Sequence, residues 1–294
     1  MKNKIIVMAS CLFILLMVVF PNVTEQGTKS AIVIWANSII PVLLPFFIFS
    51  DFVKRTGDLH RLSPKIYPFV IAFLSGYPMG AKIAADYVRS KTVTASEGKR
   101  ILSYSLVTGP AFIIFTIGSF IGSTKAAFLI AIAHYLGAFL NSSLYYTTSS
   151  NIRSHIKPKE KIDYMEDFSH AIASGFKAMA TILAYLMFFN IGINIFDYLG
   201  VFSLINDQTT VAFIKGIFEM TLGSSLLGAC DAGIKLKTIL AAILVSFGGL
   251  SVIGQSMSMT RNTGIGLKDI LEIKITHGLI SGILATLLAN IVVL

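Results

Sequence analysis

The sequence predicts an all-α polytopic membrane protein built from two inverted structural repeats with re-entrant or broken helices. Hydrophobic residues make up 54% of the 294 residues and charged residues only 13%, which is about half the charged fraction of a soluble protein. Apolar runs that approach the roughly 20 residues of a membrane helix recur along the whole chain. Gly and Pro interrupt several of these runs, and the interruptions follow a similar order in the two halves.

The net charge of +9 is assigned to cytoplasmic loops rather than to nucleic-acid binding, because Lys and Arg gather on the cytoplasmic side of membrane proteins. The two cysteines, Cys11 and Cys230, lie in apolar segments and are interpreted as packing residues. The sequence shows no nucleophile with a nearby base, no metal-ligand spacing and no phosphate loop. It therefore predicts no enzyme activity, no cofactor and no metal site.

The first apolar run, residues 5–20, lacks a small-residue cleavage pattern at its end. It is predicted to be an uncleaved helix with a cytoplasmic N-terminus, followed by an outer loop at residues 22–30. A second helix over residues 31–52 contains Pro41 and Pro45, which predict a kink or an unwound turn. The predicted organisation is an N-terminal helix with its loop, a first repeat, a polar cytoplasmic linker and a second repeat, over residues 1–30, 31–147, 148–170 and 171–294.

The stretch from Ala72 to Asp86 is predicted to hold the functional site. Gly76-Tyr77-Pro78 cannot continue an ordinary helix, because Pro78 lacks an N–H group and its ring clashes with the preceding turn. Basic loops flank the element on both sides, which predicts a re-entrant hairpin from the cytoplasmic side. A helix that restarts after such a break points its N–H groups into a cavity and attracts anions. The alternative is a proline kink between two packed helices.

Thr94 and Glu97 have the spacing of a capping box, which predicts the start of a helix over residues 96–121. Thr108-Gly109-Pro110 predicts a second break near the middle of this helix, because a Gly-Pro pair opens the helix and frees its carbonyl groups. His134, in the helix that follows, is interpreted as a hydrogen-bonding partner of a neighbouring helix. A proton-carrying histidine is the alternative.

The second half repeats the order of features of the first. Residues 246–261 parallel residues 73–89, since each stretch has an apolar lead, a Gly-centred break, a small-residue helix and an arginine. The last helix, residues 267–294, is aligned with residues 95–121. An odd number of membrane crossings between the copies would invert the second one, as is common in transporters. Residues 211–230 have no counterpart in this alignment.

Glu219 lies in the middle of the unmatched stretch, among apolar neighbours. A carboxylate within the membrane is costly and is interpreted as functional by default. The sequence predicts that Glu219 binds a coupling cation, carries a proton, or pairs with Lys82 of the first half. The alternative is an interfacial glutamate on a short hairpin, paired with Lys215, one helical turn earlier. The sequence leaves open whether residues 211–230 span the membrane or turn back.

Six motifs spread over residues 31–290 form a recognisable set: Leu44-Pro-Phe-Phe-Ile-Phe-Ser50, Phe73-Leu-Ser-Gly-Tyr-Pro-Met-Gly-Ala-Lys82, Thr108-Gly-Pro-Ala-Phe-Ile-Ile114, Ala133-His-Tyr-Leu-Gly137, Gly216-Ile-Phe-Glu-Met-Thr-Leu-Gly223 and Gly248-Gly-Leu-Ser-Val-Ile-Gly-Gln255. Together they resemble the YlbJ-type sporulation integral membrane proteins of the nucleoside-recognition, or Gate-domain, superfamily. The resemblance implies a multi-pass transporter of spore-forming Gram-positive bacteria, similar in architecture to concentrative nucleoside carriers. It implies export of dipicolinic acid from the mother cell, across the mother-cell-derived outer forespore membrane.

The combined prediction is a transporter that moves a small organic anion, with dipicolinate as the first candidate, by alternating access. Lys82 would neutralise one carboxylate, the broken helices would hold the other, and Tyr77 would stack on the pyridine ring. The predicted substrate-binding residues lie at the breaks: Ser75, Gly76, Tyr77, Pro78, Gly80, Lys82, Thr108, Gly109, Ser251, Gln255 and Ser256.

The expected partners are the lipid bilayer, the anion, a coupling cation or proton, and a second copy or another sporulation membrane protein. Two other functions stay open at this point. One is transport of nucleosides or nucleobases. The other is a non-transporting scaffold that assembles a sporulation complex in the membrane.

Overall fold

The computed structural model describes residues 2–56, 63, 65–145 and 163–292, and the regular structure within these residues is entirely helical. Most of the predicted linker, residues 148–162, lies outside the described residues. Five helical stretches in the described ranges are long and apolar enough to cross a membrane: Pro21–Thr56, Thr124–Ser143, Tyr164–Tyr198, Ile234–Met259 and Leu267–Ile291. The prediction of an all-α polytopic membrane protein is confirmed.

Helices follow one another in the same order in the two halves: a long helix, a pair of short helices, a broken helix and an unbroken helix. The first half contains α1 (Lys2–Val19), α2 (Pro21–Ile34), a π-helical segment (Trp35–Ile39), α3 (Ile40–Thr56), α4 (Tyr67–Ser75), α5 (Met79–Arg89), α6 (Ala95–Ser105), a second π-helical segment (Phe112–Ile117), α7 (Gly118–Ile121) and α8 (Thr124–Ser143). The second half contains α9 (Tyr164–Tyr198), α10 (Gln208–Phe218), α11 (Met220–Ala229), α12 (Ile234–Phe247), α13 (Gly249–Met259) and α14 (Leu267–Ile291).

The N-terminal region differs from the prediction, because residues 22–30 are helical rather than an outer loop. Pro21 opens α2 directly after α1, and a proline is tolerated there since the first N–H groups of a helix have no intrahelical partner. The long helix α2–α3 then runs antiparallel to α9. A Cβ atom on Gly27 would lie 2.9 Å from the Cα atom of Ile191, so the two backbones are in close contact.

The two prolines of α3 do not unwind the helix. The chain forms a π-helical segment at Trp35–Ile39, in which the N–H group of Ile40 bonds to the Trp35 carbonyl, and then continues through Pro45 as an α-helix. A wider turn before Pro41 leaves room for its ring, which would clash with the carbonyl group of an α-helical turn. The capping box of Thr94 and Glu97 is present at the start of α6 as predicted.

α4 and α5 form a helical hairpin with both of its ends at one end of the bundle. The Tyr104 hydroxyl, on α6, donates a 2.8 Å hydrogen bond to the carbonyl of Lys65, just before α4. α6 packs tightly on α5, since a Cβ atom on Gly80 would lie 1.9 Å from the Ser105 carbonyl oxygen. The start of α4 therefore lies beside the α5–α6 pair. A re-entrant hairpin needs this chain path, and its re-entry into the membrane stays a prediction.

α10 and α11 form a second hairpin, with Glu219 at its tip. The helices have 11 and 10 residues, and at about 1.5 Å per residue each is about half as long as the hydrocarbon core is thick. They cross at two glycines, because a Cβ atom on Gly223 would lie 2.1 Å from the Cα atom of Gly216. The base of this hairpin contacts Phe120 at the end of α7, whereas the first hairpin has its base where α6 begins. The two hairpins therefore start from opposite ends of the bundle.

The order of elements does not support the alignment of residues 246–261 with residues 73–89. By order along the chain, α10–α11 is the counterpart of α4–α5, and α12–α13 is the counterpart of the broken helix that begins with α6. His134 and His277 fit this assignment, since each lies ten residues after the first residue of α8 or α14, and their ring centroids are 4.8 Å apart. The inversion of one half relative to the other stays a prediction.

Candidate functional site

Four interruptions of helices meet in the centre of the molecule, and we call them the four breaks. They lie at residues 76–78, at residues 106–109, at Glu219 and at Gly248. The first and second breaks touch, since a Cβ atom on Gly76 would lie 2.9 Å from the Gly109 nitrogen. The breaks predicted at Gly76-Tyr77-Pro78 and at Thr108-Gly109 are confirmed.

The third and fourth breaks touch in the same way. A Cβ atom on Gly249 would lie 3.0 Å from the nitrogen of Met220. Gly76 and Gly249 have φ angles of 68° and 73°, in the left-handed region that favours glycine. Each pair of breaks thus depends on a glycine that combines this φ angle with a close backbone contact.

A cavity of about 50 Å³ lies between the breaks on one side and α3 and α9 on the other. Its walls are mainly apolar, and polar side chains face it from all four breaks: Ser75, Thr108, Glu219, Ser251 and Gln255. Within the described residues, the side chains of Ser75, Thr108 and Gln255 make no hydrogen bond. Unpaired polar groups in a largely apolar cavity are typical of a small-molecule site.

Glu219 is buried and serves as the N-cap of α11. Its carboxylate accepts a 2.7 Å hydrogen bond from the Leu222 N–H group and a longer one, 3.4 Å, from the Ser251 hydroxyl. Neither of the two lysines considered from the sequence is its partner. Lys215 bonds to Asp197 at 3.0 Å instead. Glu219 is thus a cavity carboxylate without a cationic partner in the described part of the chain.

Lys82 does not reach the cavity. It is exposed and lines an adjoining cleft of about 380 Å³, together with Lys177 and Asp51. Asp51 already bonds to Arg55 at 2.7 Å, and neither of the two lysines makes an ion pair among the residues that the structure describes. The cleft and the cavity are neighbours, because they share five lining residues: Phe47, Ser75, Tyr77, Ile182 and Gln255.

The remaining predicted site residues are divided between lining and packing positions. Gly76 and Gly109 line the cavity, and Pro78 lines only the cleft. Gly80 packs against α6. The Ser256 hydroxyl donates to the Val252 carbonyl of its own helix. The last two residues therefore support the shape of the site and do not face its cavity.

The sequence reasoning missed Lys274, a fully buried lysine on α14. Its Nζ atom donates hydrogen bonds to the Tyr77 hydroxyl at 2.6 Å and to the Leu106 carbonyl at 3.1 Å, and it lies 4.6 Å from the centroid of the Tyr77 ring. A Cβ atom on Gly248 would lie 3.4 Å from the Cε atom of Lys274. Lys274 therefore contacts three of the four breaks. The signal in the sequence was a lysine between two isoleucines in an apolar helix.

His134 confirms its interpretation as a hydrogen-bonding residue between helices. Its Nε2 atom accepts a 3.1 Å bond from the Thr108 N–H group at the second break, and its Nδ1 atom is 2.9 Å from the Ser246 hydroxyl. The His134 carbonyl accepts a 2.8 Å bond from His277. These contacts fix the backbone of the second break against α8 and α12.

The chain is a homologue of the sporulation integral membrane protein YlbJ of Bacillus subtilis (strain 168). The two are 22% identical over 337 aligned residues, which cover 97% of this chain and 83% of that protein. This similarity confirms the resemblance that the six motifs indicate, and it supports a sporulation-related integral membrane protein. No protein-family model and no solved structure matches the chain. The superfamily assignment therefore stays a prediction.

Proposed function

We propose that this homologue of a sporulation membrane protein is a transporter that moves a small organic anion by alternating access, with dipicolinate as its first candidate substrate. The observation that supports this proposal most strongly is the convergence of four breaks on one cavity. Broken helices place unpaired backbone groups and helix ends at the substrate in several transporter architectures. A plain proline kink would not need three further interruptions at the same point.

The anion is drawn first into the cleft. Lys82 and Lys177 face this cleft and have no carboxylate partner in the part of the chain that the structure describes, and ammonium groups attract carboxylates from solution. The residues shared by the cleft and the cavity then mark the path inward. In the cavity, the Ser75 hydroxyl and the Gln255 amide would donate to the second carboxylate, and the free face of the Tyr77 ring would contact the pyridine ring.

Glu219 gives a physical reason for a coupled ion. A dianion placed in the same cavity as a buried carboxylate would be repelled. A cation or a proton that accompanies the substrate removes this repulsion. We therefore propose that a cation or a proton moves with the anion, and that the charge of Glu219 is the reason one is needed.

Basic residues lie at the end of the bundle where the first hairpin has its base. They favour a cytoplasmic location for that end. In this orientation the cleft opens to the cytoplasm, as export from the mother cell would require. An outer forespore membrane location and assembly with a second copy or another sporulation membrane protein are part of the proposal.

A second candidate function is transport of a nucleoside or nucleobase. Glu219 is the charged side chain that the described residues place on the cavity wall, and the Gln255 amide is nearby on the same wall. A carboxylate and an amide suit a neutral ligand with hydroxyl and amine groups better than they suit a dianion. The scaffold function needs no substrate-shaped cavity and is less well supported.

Uptake of radiolabelled dipicolinate into proteoliposomes tests the proposal. We expect wild-type protein to take up dipicolinate, Lys82→Ala to lower uptake by about ten-fold, equivalent to about 1.4 kcal/mol, and a nucleoside mixture to have no effect. Lys268→Ala is the matched control, since that side chain is 90% exposed and lies outside the cleft. Inhibition by nucleosides would favour the second candidate. No uptake by folded, inserted protein would count against transport of this anion.

A further inference from the structure

Lys274 is a fully buried lysine. Among the described residues, no carboxylate pairs with it. The titratable groups that face it are Tyr77 from the α4–α5 connection, His134 from α8 and His277 on its own helix. The second break and α12 present only a carbonyl and a glycine to it. An unpaired lysine in the core of a membrane protein is costly, so its presence there indicates a function.

The Nζ atom of Lys274 is the donor in both of its hydrogen bonds. The Tyr77 hydroxyl donates onward to the Val245 carbonyl at 3.1 Å, so its oxygen is free to accept from Lys274. A charged donor forms hydrogen bonds that are roughly twice as strong as those of a neutral donor. Protonation of Lys274 would therefore tighten the first and second breaks against α14, and loss of the proton would loosen them.

Tyr77 connects Lys274 with the cavity. The ammonium lies 4.6 Å from the centroid of the Tyr77 ring, and the same residue lines both the cavity and the cleft. A carboxylate bound beside Tyr77 would be attracted by the charge behind the ring. By thermodynamic linkage, a proton on Lys274 then strengthens binding of the anion, and the anion strengthens binding of the proton by the same factor.

We propose that Lys274 is a proton-binding site and that its proton is the ion that moves with the anion. This inference rests on the proposed function and assigns the coupled ion. Lys274 acts as a positioning residue, because it touches the breaks and not the substrate. The amine nitrogen takes a proton from water on the side from which the anion comes and returns it to water on the other side.

Proteoliposomes loaded for three conditions test the proposal: an acid-outside pH gradient, an inward Na⁺ gradient, and no gradient. We expect the pH gradient to raise accumulation of radiolabelled dipicolinate by wild-type protein about five-fold or more, a typical lower bound for coupled sites, and the Na⁺ gradient to have no effect. Lys274→Arg should still exchange internal for external dipicolinate and should lose the response to pH, because a guanidinium keeps its proton.

Two further variants make the result specific. Lys274→Met is close to lysine in length and should also lose the response to pH, which covers the case in which the larger arginine does not fit. Lys268 lies on the same helix and its side chain is exposed. The control variant Lys268→Arg should therefore behave as wild type. Accumulation driven by Na⁺, a pH response retained by Lys274→Arg, or a response lost only in Glu219→Gln would overturn the proposal.

A measurement without substrate separates this proposal from the proposed function. If wild-type protein takes up no dipicolinate under any gradient, the thermal unfolding of detergent-solubilised wild type and Lys274→Met is compared between about pH 5 and pH 9. A group that exchanges its proton in the folded protein within this range makes the difference in unfolding temperature depend on pH. A difference that stays constant across the range would show that Lys274 carries no exchangeable proton there and would overturn the inference.

Discussion

The breaks of the two halves are held by side chains of opposite charge type. In the first half, the Leu106 carbonyl at the end of α6 accepts a hydrogen bond from Lys274, which the second half contributes from α14. In the second half, the Glu219 carboxylate accepts from the Leu222 N–H group at the start of α11. A broken helix leaves unpaired carbonyls where it ends and unpaired N–H groups where it restarts. The comparison shows that the same interruption can be stabilised from its carbonyl side by a cation or from its N–H side by an anion.

The largest expected effect tests what the two halves share, which is a close backbone crossing at a glycine. Gly80→Val and Gly223→Val should each lower the unfolding free energy by about 3 kcal/mol or more, since overpacking against backbone cannot be relieved by a rotamer change. Folded yield and thermal unfolding in detergent measure this. Gly233→Val is the matched control, because a Cβ atom there meets nothing within 4 Å. Normal yield for either crossing variant would contradict the close contact in that half.

An intermediate effect tests how Lys274 and Tyr77 stabilise the breaks of the first half. Tyr77→Phe removes the acceptor of the Lys274 bond and the donor to the Val245 carbonyl, and it should cost about 1–3 kcal/mol because buried polar groups lose their partners. Tyr145→Phe serves as the control, since its half-buried hydroxyl bonds only to the Thr276 hydroxyl, and it should cost less than about 1 kcal/mol. Equal unfolding temperatures for the two variants would argue against a buried hydrogen-bond network behind the first break.

The smallest expected effect tests how the Glu219 carboxylate stabilises the break of the second half. Glu219→Ala removes the cap of α11 and should cost about 1 kcal/mol, whereas Glu219→Gln keeps an oxygen acceptor for the Leu222 N–H group and should recover most of this loss. Thermal unfolding of the two variants, measured side by side, tests this difference. If glutamine is as damaging as alanine, the charge of Glu219 rather than its capping oxygen holds the hairpin tip, and the two halves would differ more than the hydrogen bonds indicate.

Much of the fold was predictable because its causes are local. A proline removes a helix hydrogen bond wherever it stands, so the first two breaks and the capping box of Thr94 and Glu97 lie where the sequence places them. The prediction of a loop at residues 22–30 failed because a polar stretch next to Pro21 also suits the first turns of a helix. The sequence left open whether the stretch around Glu219 spans the membrane or forms a hairpin, since its break contains neither the Gly nor the Pro that marks the others.

The candidate site was predictable only in part. Ser75, Thr108 and Gln255 face the cavity as expected, because the breaks to which they were assigned meet there. Lys82 was expected to neutralise a carboxylate within the site, yet it lies in the adjoining cleft. Its position depends on which face of α5 packs against α6, and one residue of helical rotation decides this.

By itself, the sequence determined the membrane class, the helical architecture and the three breaks that contain a glycine, because hydropathy, proline and glycine act through the nearest residues. Only the tertiary structure decided which charges meet the breaks. Lys274 is separated from Tyr77 by 197 residues, and a pairing over such a distance leaves no local pattern in the chain. It exists because packing α14 against the first two breaks places a lysine where free carbonyl and hydroxyl groups need a donor.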